Sequence, residues 1–509
     1  MRATLMQHQQ DGVKFAINNN GIAALHYEVG CGKTLTALGI YEAFKKNEPG
    51  LKLLVICPIS LIHGAWVKEI EKFTDFKWFD LHRHNPKNSI ICDYVWDIHI
   101  LNFEYLISKP KFIEIRGFLE KNKFMCVIDE SSKMKNHSSV TVDRLNGCWE
   151  KGKYIQGIKD LCKYRIELTG TPAPNDFHEY WAQMYFLNPS ILGNNFYKFR
   201  NQYYSMQRGK EIVKGAVYSK EALREMFSKG YKYQFDESKR EEFFNRLKPW
   251  CHVVKAKDCL DLPESIDEYR MVEMTSEQNR VYKEMKTQFV AEIKAYKAEL
   301  VGTALADCPK DGYVSVTTEN NPFIIANLVL TKMIKLHQIT SNFAIDENGV
   351  AHTIGPKNPK MDALLEIIEE CPDKQIIIWA QFKHEIAYIT QALKQLGGVS
   401  ELHGGIDEKY RIEQIDRFLD GTNRFMVCHP RSAAHGLTFI NSSVCIYFSL
   451  SYSYEEYIQS RGRIMRHGQK NNCLYFHILA QGTVDEDILA ICQKKQDKQD
   501  IAERFLKNV

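Results

Sequence analysis

Residues 21–34 read GIAALHYEVGCGKT: an apolar run, a glycine-broken turn and the opening of a helix. Strand, tight turn and helix in that order form the repeating unit of parallel α/β sheets. The turn also carries chemistry. Gly30 and Gly32 let backbone N–H groups come close to a phosphate at a helix N-terminus, Lys33 suits the outer phosphates, and the Thr34 hydroxyl suits Mg²⁺. The first glycine of the full phosphate-loop pattern would fall at Tyr27, so this is the shorter GxGKT form. Cys31, between the glycines, reads as inert filler.

Working outward, further apolar runs alternate with helical stretches: LKLLVICP (51–58), IHILNFEYL (98–106), FMCVIDE (124–130) and YRIELTGTP (164–172). Short β-branched strands spaced this way predict a parallel sheet with crossover helices. The strand at 124–130 ends in Asp129-Glu130. There an Asp can hold Mg²⁺ through water, and the adjacent Glu can orient or deprotonate an attacking water. An Asp-Glu pair in isolation is an ordinary solvated turn; its place after an apolar strand, downstream of the GKT turn, turns the reading towards a nucleotide site.

The second half repeats the rhythm, with strands expected at 374–382, 398–404, 424–430, 443–450 and 473–480. Between the halves the composition changes. Residues 196–250 hold 13 Lys and Arg against 7 Asp and Glu, an excess of 6 where the whole chain has +4. The same stretch has 13 aromatics, which read as the core of a small helical subdomain, with some of the basic side chains facing nucleic acid. A long amphipathic helix is expected over 276–299, a loop over 300–321 and a charged C-terminal helix from 484.

Bulk composition excludes several classes. At 44% hydrophobic and 26% charged residues the 509-residue chain is globular and long enough for two or three domains. No run of 18 apolar residues predicts a membrane span, and the N-terminus lacks the apolar core of a signal peptide. The 14 cysteines form no CxxC pair and lie mostly in apolar runs, which fits buried thiols in a reducing compartment. The histidines show no metal spacing.

Taken in order, these segments resemble helicase superfamily two and, within it, the Swi/Snf family of double-stranded DNA translocases. LMQHQQDGVKF is similar to the family's adenine-reading segment, with Gln9 as base contact, and EVGCGKT to its phosphate loop. CPISLIHGAWVKEI (57–70) is similar to the segment that touches a DNA backbone. The family's Asp-Glu-Ala-His is here Asp129-Glu130-Ser131-Ser132. The lost His helps couple ATP to the track, so coupling is expected to change more than hydrolysis. LTGTPAPND (168–176) resembles the coupling motif, and HEYWAQMYFLNP (178–189) the helix after it. WAQF (379–382), LHGGIDEKYR (402–411) and PRSAAHGLTF (430–439) resemble later motifs; Ala433 and Ala434 replace two glycines while Gly436 is kept, as in annealing and fork-remodelling members. QSRGRIMRHGQ (459–469) follows the Q-x-x-G-R-x-x-R spacing.

The resemblance implies an α/β fold of two RecA-like parallel-sheet lobes with helical insertions between them: a first, ATP-binding lobe (1–185), a basic aromatic helical protrusion (186–255), a linker and helical insertion of the second lobe (256–355), the second lobe with arginine fingers (356–483) and the C-terminal helix (484–509). It implies ATP and Mg²⁺ as cofactors. Gln9, Gly30, Gly32, Lys33, Thr34, Gly436 and Gln459 would bind nucleotide, with Thr34 and Asp129 on the metal. Lys33, Asp129, Glu130, Arg463 and Arg466 would act in catalysis, the two arginines three apart on one helix face, stabilising charge on the γ-phosphate. Ser60, Thr169, Gly170 and Thr171 would couple nucleotide state to the nucleic acid. The expected activity is translocation on double-stranded DNA, plain, forked or branched, with a directing protein partner and no membrane. The competing readings are a strand-separating DNA or RNA helicase and a catalytically weak DNA-binding scaffold. A motor this bare is expected in the cytoplasm of a bacterial or phage-infected cell.

Overall fold

A computed structural model describes residues 1–83, 95–150, 152–209, 211–213, 226, 231–288, 322–433 and 437–507. The chain divides into two compact units: residues 1–262 with 494–509 and the short stretch 435–437, and the remainder from 263 to 493.

The first unit is built on a seven-stranded sheet. Its strands are β1 (Ile22–Tyr27), β2 (Lys52–Cys57), β3 (Trp78–Asp80), β4 (Ile98–Asn102), β5 (Phe124–Asp129), β8 (Tyr164–Thr169) and β12 (Cys251–Val254), in the order β12-β1-β8-β5-β2-β4-β3. Every pairing is parallel. The strands are apolar on both faces because both are covered: Leu54, Ile56, Phe124, Cys126 and Ile128 enter one core cluster, Leu53, Val55, Met125 and Val127 the other. A small hairpin of β6 (Cys148–Glu150) and β7 (Lys153–Ile155) interrupts the connection into β8.

The segment expected to be a helical protrusion differs. It carries a three-stranded antiparallel sheet of β9 (Tyr204–Arg208), β10 (Glu211–Val213) and β11 (Lys232–Phe235), flanked by helices Phe196–Tyr203 and Arg240–Leu247. Seven of its aromatics are core: Phe196, Phe199, Tyr203, Tyr204, Phe235, Phe243 and Phe244 merge with the packing on one face of the large sheet. The chain then returns to that sheet as β12, beside β1, so the first unit runs on to residue 262.

The second unit holds a six-stranded parallel sheet. Its strands are β13 (Ser265–Val272), β16 (Ile376–Trp379), β17 (Val399–Leu402), β18 (Phe425–Cys428), β19 (Val444–Tyr447) and β20 (Cys473–Ala480), ordered β13-β20-β19-β16-β18-β17. A hairpin of β14 (Phe343–Ile345) and β15 (Ala351–Thr353) lies between β13 and β16 in the chain. Strands β3, β12 and β13 were not expected from the sequence. The run at 98–106 is a strand only to Asn102 and then a helix, Phe103–Ile107. The helix expected over 276–299 is described only to residue 288, and the loop at 300–321 lies outside the described residues.

One helix, Val484–Leu506, belongs to both units: its first turns to the second, its residues from Lys494 on to the first. Ala502 and Leu506 enter the core of the first unit, and Phe505 stacks on Phe244 with ring centroids 5.3 Å apart. Among the described residues no helix is long and apolar enough to cross a membrane.

Candidate nucleotide site

Because the first sheet is parallel, the C-terminal ends of its strands lie along one edge, the usual place for a ligand in open α/β sheets. That edge collects Tyr27, Cys57, Asn102, Asp129, Thr169 and Val254, and with them each motif that follows a strand. From β1 the chain turns through Glu28–Gly32 into helix Lys33–Asn47. Gly30 (φ 93°) and Gly32 (φ 69°) adopt left-handed backbone that favours glycine. A Cβ on Gly32 would also lie 2.2 Å from Gln9 Nε2.

Gln9 is buried. Its Nε2 donates to Gly32 O at 3.3 Å, and its Oε1 accepts from Met6 N–H at 2.9 Å. It therefore ties the first helix of the chain to the phosphate loop. His8 Nε2 lies 3.0 Å from Cys31 O on the same loop. Lys33 Nζ reaches Tyr27 O at 3.1 Å. Tyr27, where a longer loop would begin with glycine, is buried, with its hydroxyl 2.9 Å from His252 Nδ1.

Asp129 ends β5 and Glu130 follows it, and both are buried. Asp129 Oδ2 accepts from Trp66 Nε1 at 2.9 Å. Burial, with the neighbouring Glu130 charge, pushes the Asp129 carboxyl up to about 7 against the opposing pull of the Lys33 ammonium. A buried carboxylate under that stress, facing a phosphate loop with the Thr34 hydroxyl, suits a hard divalent cation carried in with a nucleotide. The residues present thus fit Mg²⁺. Glu130 itself has left-handed backbone, φ 58°, uncommon for a residue with a Cβ and a frequent companion of functional sites.

Trp66 was not anticipated. It ends a π-helical turn, Ile62–Trp66, inside the segment expected to touch a DNA backbone. Such turns recur at functional sites because they re-aim side chains. Here a fully buried indole holds the candidate metal carboxylate. Ser60, in the same segment, is half-buried.

The turn after β8 joins the site directly. The backbone passes close here: a Cβ on Gly170 would lie a tight 3.2 Å from Tyr27 O and in ordinary contact, 3.7 Å, with Lys33 Nζ. Thr171 N–H donates to Thr169 Oγ1 at 3.1 Å, and both threonines are buried. A second unanticipated residue, Gln183, links this turn to the acidic motif. Ser131 Oγ donates to Gln183 Oε1 at 2.8 Å, while Gln183 Nε2 donates to Pro172 O at 2.7 Å and Glu179 O at 3.0 Å. Its signal in the sequence is a lone amide within the apolar helix YWAQMYFL. The C-terminal helix adds a third contact, Gln499 Nε2 donating to Gly170 O at 2.6 Å.

In the second unit the arginines are not where a helix would put them. The helix Tyr454–Arg461 stops at Gly462, so Arg463 and Arg466 lie in the turns beyond it and share no helix face. Those turns are held by the buried Gln469, whose Nε2 donates to Ser442 O at 2.8 Å and Ile464 O at 3.2 Å. Arg463 is buried, Nε donating to Gln459 O at 2.9 Å, and Arg466 bonds Thr438 Oγ1. Gln459 Nε2 donates to Glu455 Oε1 at 3.4 Å. Gly436 lies outside the described residues. Among the described residues no cluster of His, Cys, Asp and Glu could hold a metal by itself.

The model of the SNF2-related domain matches residues 8–306, more than half of the chain, and that of the helicase conserved C-terminal domain matches 359–468. The chain belongs to the SNF2-related family. Among its relatives in that family, an uncharacterized ATP-dependent helicase of Mycoplasma pneumoniae is 24% identical over 99% of this chain and 42% of its own length. A RAD54-like DNA repair and recombination protein of Drosophila mojavensis is 23% identical over 99% of this chain and 64% of its own length. The chain therefore spans less than two thirds of these SNF2-related proteins. A solved structure, the Sulfolobus solfataricus SWI2/SNF2 ATPase core in complex with double-stranded DNA, aligns over 99% of this chain and 94% of that one at 24% identity, TM-score 0.42.

Proposed function

We propose that the protein is an ATP-hydrolysing motor that moves along double-stranded DNA. The observation that carries the reading is the convergence at one sheet edge of the glycine loop with Lys33, the buried Asp129-Glu130 pair, and the Gly170 turn packed against that lysine. Mg²⁺ bound with ATP would supply charge neutralisation at the phosphates. This chain's own residues would do the rest: loop amides and Lys33 would orient the phosphates, Thr34 and Asp129 would hold the cation, Trp66 fixes Asp129, and Glu130 would accept a proton from the attacking water. Gly170 and the Ser131–Gln183–Pro172 bonds are in place to pass nucleotide state into the rest of the first unit. Family membership and relatives named for DNA repair and recombination support DNA as the track.

The test is steady-state ATPase at one fixed salt with no nucleic acid, single-stranded DNA, plain duplex, forked duplex and RNA, since affinities move steeply with salt. Plain duplex is expected to stimulate most. A strict preference for forks would narrow the role to fork remodelling, and stimulation by single strands or RNA alone would replace the translocase with a strand-separating helicase. Lys33→Ala and Glu130→Gln should each abolish turnover while duplex binding survives; wild-type ATPase in either would refute the site.

A further inference from the structure

Two cysteines far apart in sequence meet at the phosphate loop. Cys31 lies between the two left-handed glycines, and its Sγ is 3.8 Å from that of Cys259. Cys259 ends the short helix Ala256–Cys259, which follows β12 and leads to Leu262, the last residue before the chain enters the second unit. That helix is already fastened to the loop, because Ala256 N–H donates to Glu28 Oε2 at 2.8 Å. Cys31 is buried; Cys259 is half-buried and thus the sulfur that a small solute meets first.

We propose that Cys31 and Cys259 form a reversible disulfide under peroxide, and that this bond switches off nucleotide turnover. The sulfurs must close by roughly 1.8 Å to reach the ~2.05 Å of a disulfide. The loop is the element able to give, because Gly30 and Gly32 are its hinges. The chemistry balances with peroxide as oxidant. The Cys259 sulfur attacks one peroxide oxygen, the O–O bond breaks, and a sulfenic acid and one water result. The Cys31 sulfur then displaces the sulfenic oxygen as a second water, leaving the S–S bond. Overall two thiols are oxidised and one peroxide is reduced to two waters.

The bond would act through geometry. The same loop that must present its N–H groups to phosphate would be drawn towards the Ala256–Cys259 helix, and the amides that follow Cys31 would turn with it. Burial raises both thiols above their ordinary range, Cys31 further than Cys259, so oxidation is slower than for an exposed thiol and needs sustained peroxide rather than air.

The experiment treats the full chain with hydrogen peroxide, blocks free thiols, and maps disulfide-linked peptides by mass spectrometry without reductant. ATPase and fluorescent-nucleotide binding are read on the same samples before and after dithiothreitol. The activity readout rests on the phosphate-site reading above; the peptide map does not, so the two can fail separately. The expected result is a peptide joining Cys31 to Cys259, an ATPase loss of about tenfold or more, and recovery to within about twofold on reduction. Cys259→Ser and Cys259→Ala should keep the untreated rate and hold it in peroxide. The proposal is overturned if no such peptide forms, if the cross-linked protein hydrolyses ATP at the untreated rate, or if the Cys259 variants are inactivated like the parent.

Discussion

Replacing Gln183 by leucine should uncouple the acidic motif from the turn after β8. The substitution nearly conserves volume at a fully buried position, so cavity formation contributes little. What is lost is hydrogen bonding: the 2.8 Å bond from Ser131 Oγ and the bonds at 2.7 and 3.0 Å to Pro172 O and Glu179 O. The Ser131 hydroxyl and the Pro172 carbonyl would be left unpaired, and unpaired buried groups cost about 1–3 kcal/mol each, so the gross loss is about 2–6 kcal/mol. The greater apolar burial of leucine offsets about 1–2 kcal/mol of it. Ser131→Ala alone removes one bond and should cost about 1 kcal/mol. Because both changes cut the same link, the double variant should be less damaged than the sum, with a coupling of about 0.5–1.5 kcal/mol. The functional assay is the ratio of duplex-stimulated to basal ATPase, which should fall by about tenfold, equivalent to about 1.4 kcal/mol of coupling. Strict additivity of the two changes, or an unchanged stimulation ratio in Gln183→Leu, would show that these bonds carry packing and nothing more.

Glu167 is wholly buried on β8 with no hydrogen-bond partner among the described residues, and burial raises its carboxyl well above the ordinary range. The folded state therefore holds this proton at a pH where the unfolded chain has released it, and stability falls as pH rises above the unfolded value. Glu167→Gln should raise Tm at pH 8 and do so less at pH 5; a pH-independent effect would argue against a neutral buried acid. His26, on the neighbouring strand β1 opposite Thr169, is lowered to about 3 by burial, so its contribution runs the other way: present above 6.5 and lost as pH falls towards 3. His26→Phe should flatten the acid limb of the stability profile, and an unchanged limb would place the acid sensitivity elsewhere. Leu506→Ala, at a fully buried site near the chain end, should cost about 2–5 kcal/mol and speed hydrogen exchange in β1 and β8; wild-type exchange would mean that the helix only rests on the surface.

The nucleotide site was legible because its signals are local. Glycine, lysine and threonine between an apolar strand and a helix, and an acidic pair at a strand end, need no knowledge of distant residues. Gln183 and Trp66 were hidden because their roles depend on what packs opposite them: an amide in an apolar helix and an indole after β2 look like filler until Ser131 and Asp129 are placed beside them. The helix carrying Arg463 and Arg466 was misread because the regular spacing of the arginines was taken to continue through Gly462, where the backbone stops repeating. Strand β13, SIDEYRMV, escaped notice because it is an edge strand with exposed charge and none of the apolar density of its neighbours. The aromatic segment was half read: seven of its rings are core, but the short antiparallel sheet among them had no clear periodicity.

The helix Val484–Leu506 makes the first unit discontinuous in sequence. A protein expressed as residues 1–262 would lack Ala502 and Leu506 from its core, Phe505 from the ring of Phe244, and the carboxylate of Glu503 from Lys255. Its last piece, from Lys494, is synthesised some 230 residues after Leu262, so on the ribosome the nucleotide-binding half stays unfinished until the other half has been made. Protein folding here cannot proceed strictly from N- to C-terminus, and the two halves, produced as separate polypeptides split near residue 262, should find each other by fragment complementation through that helix.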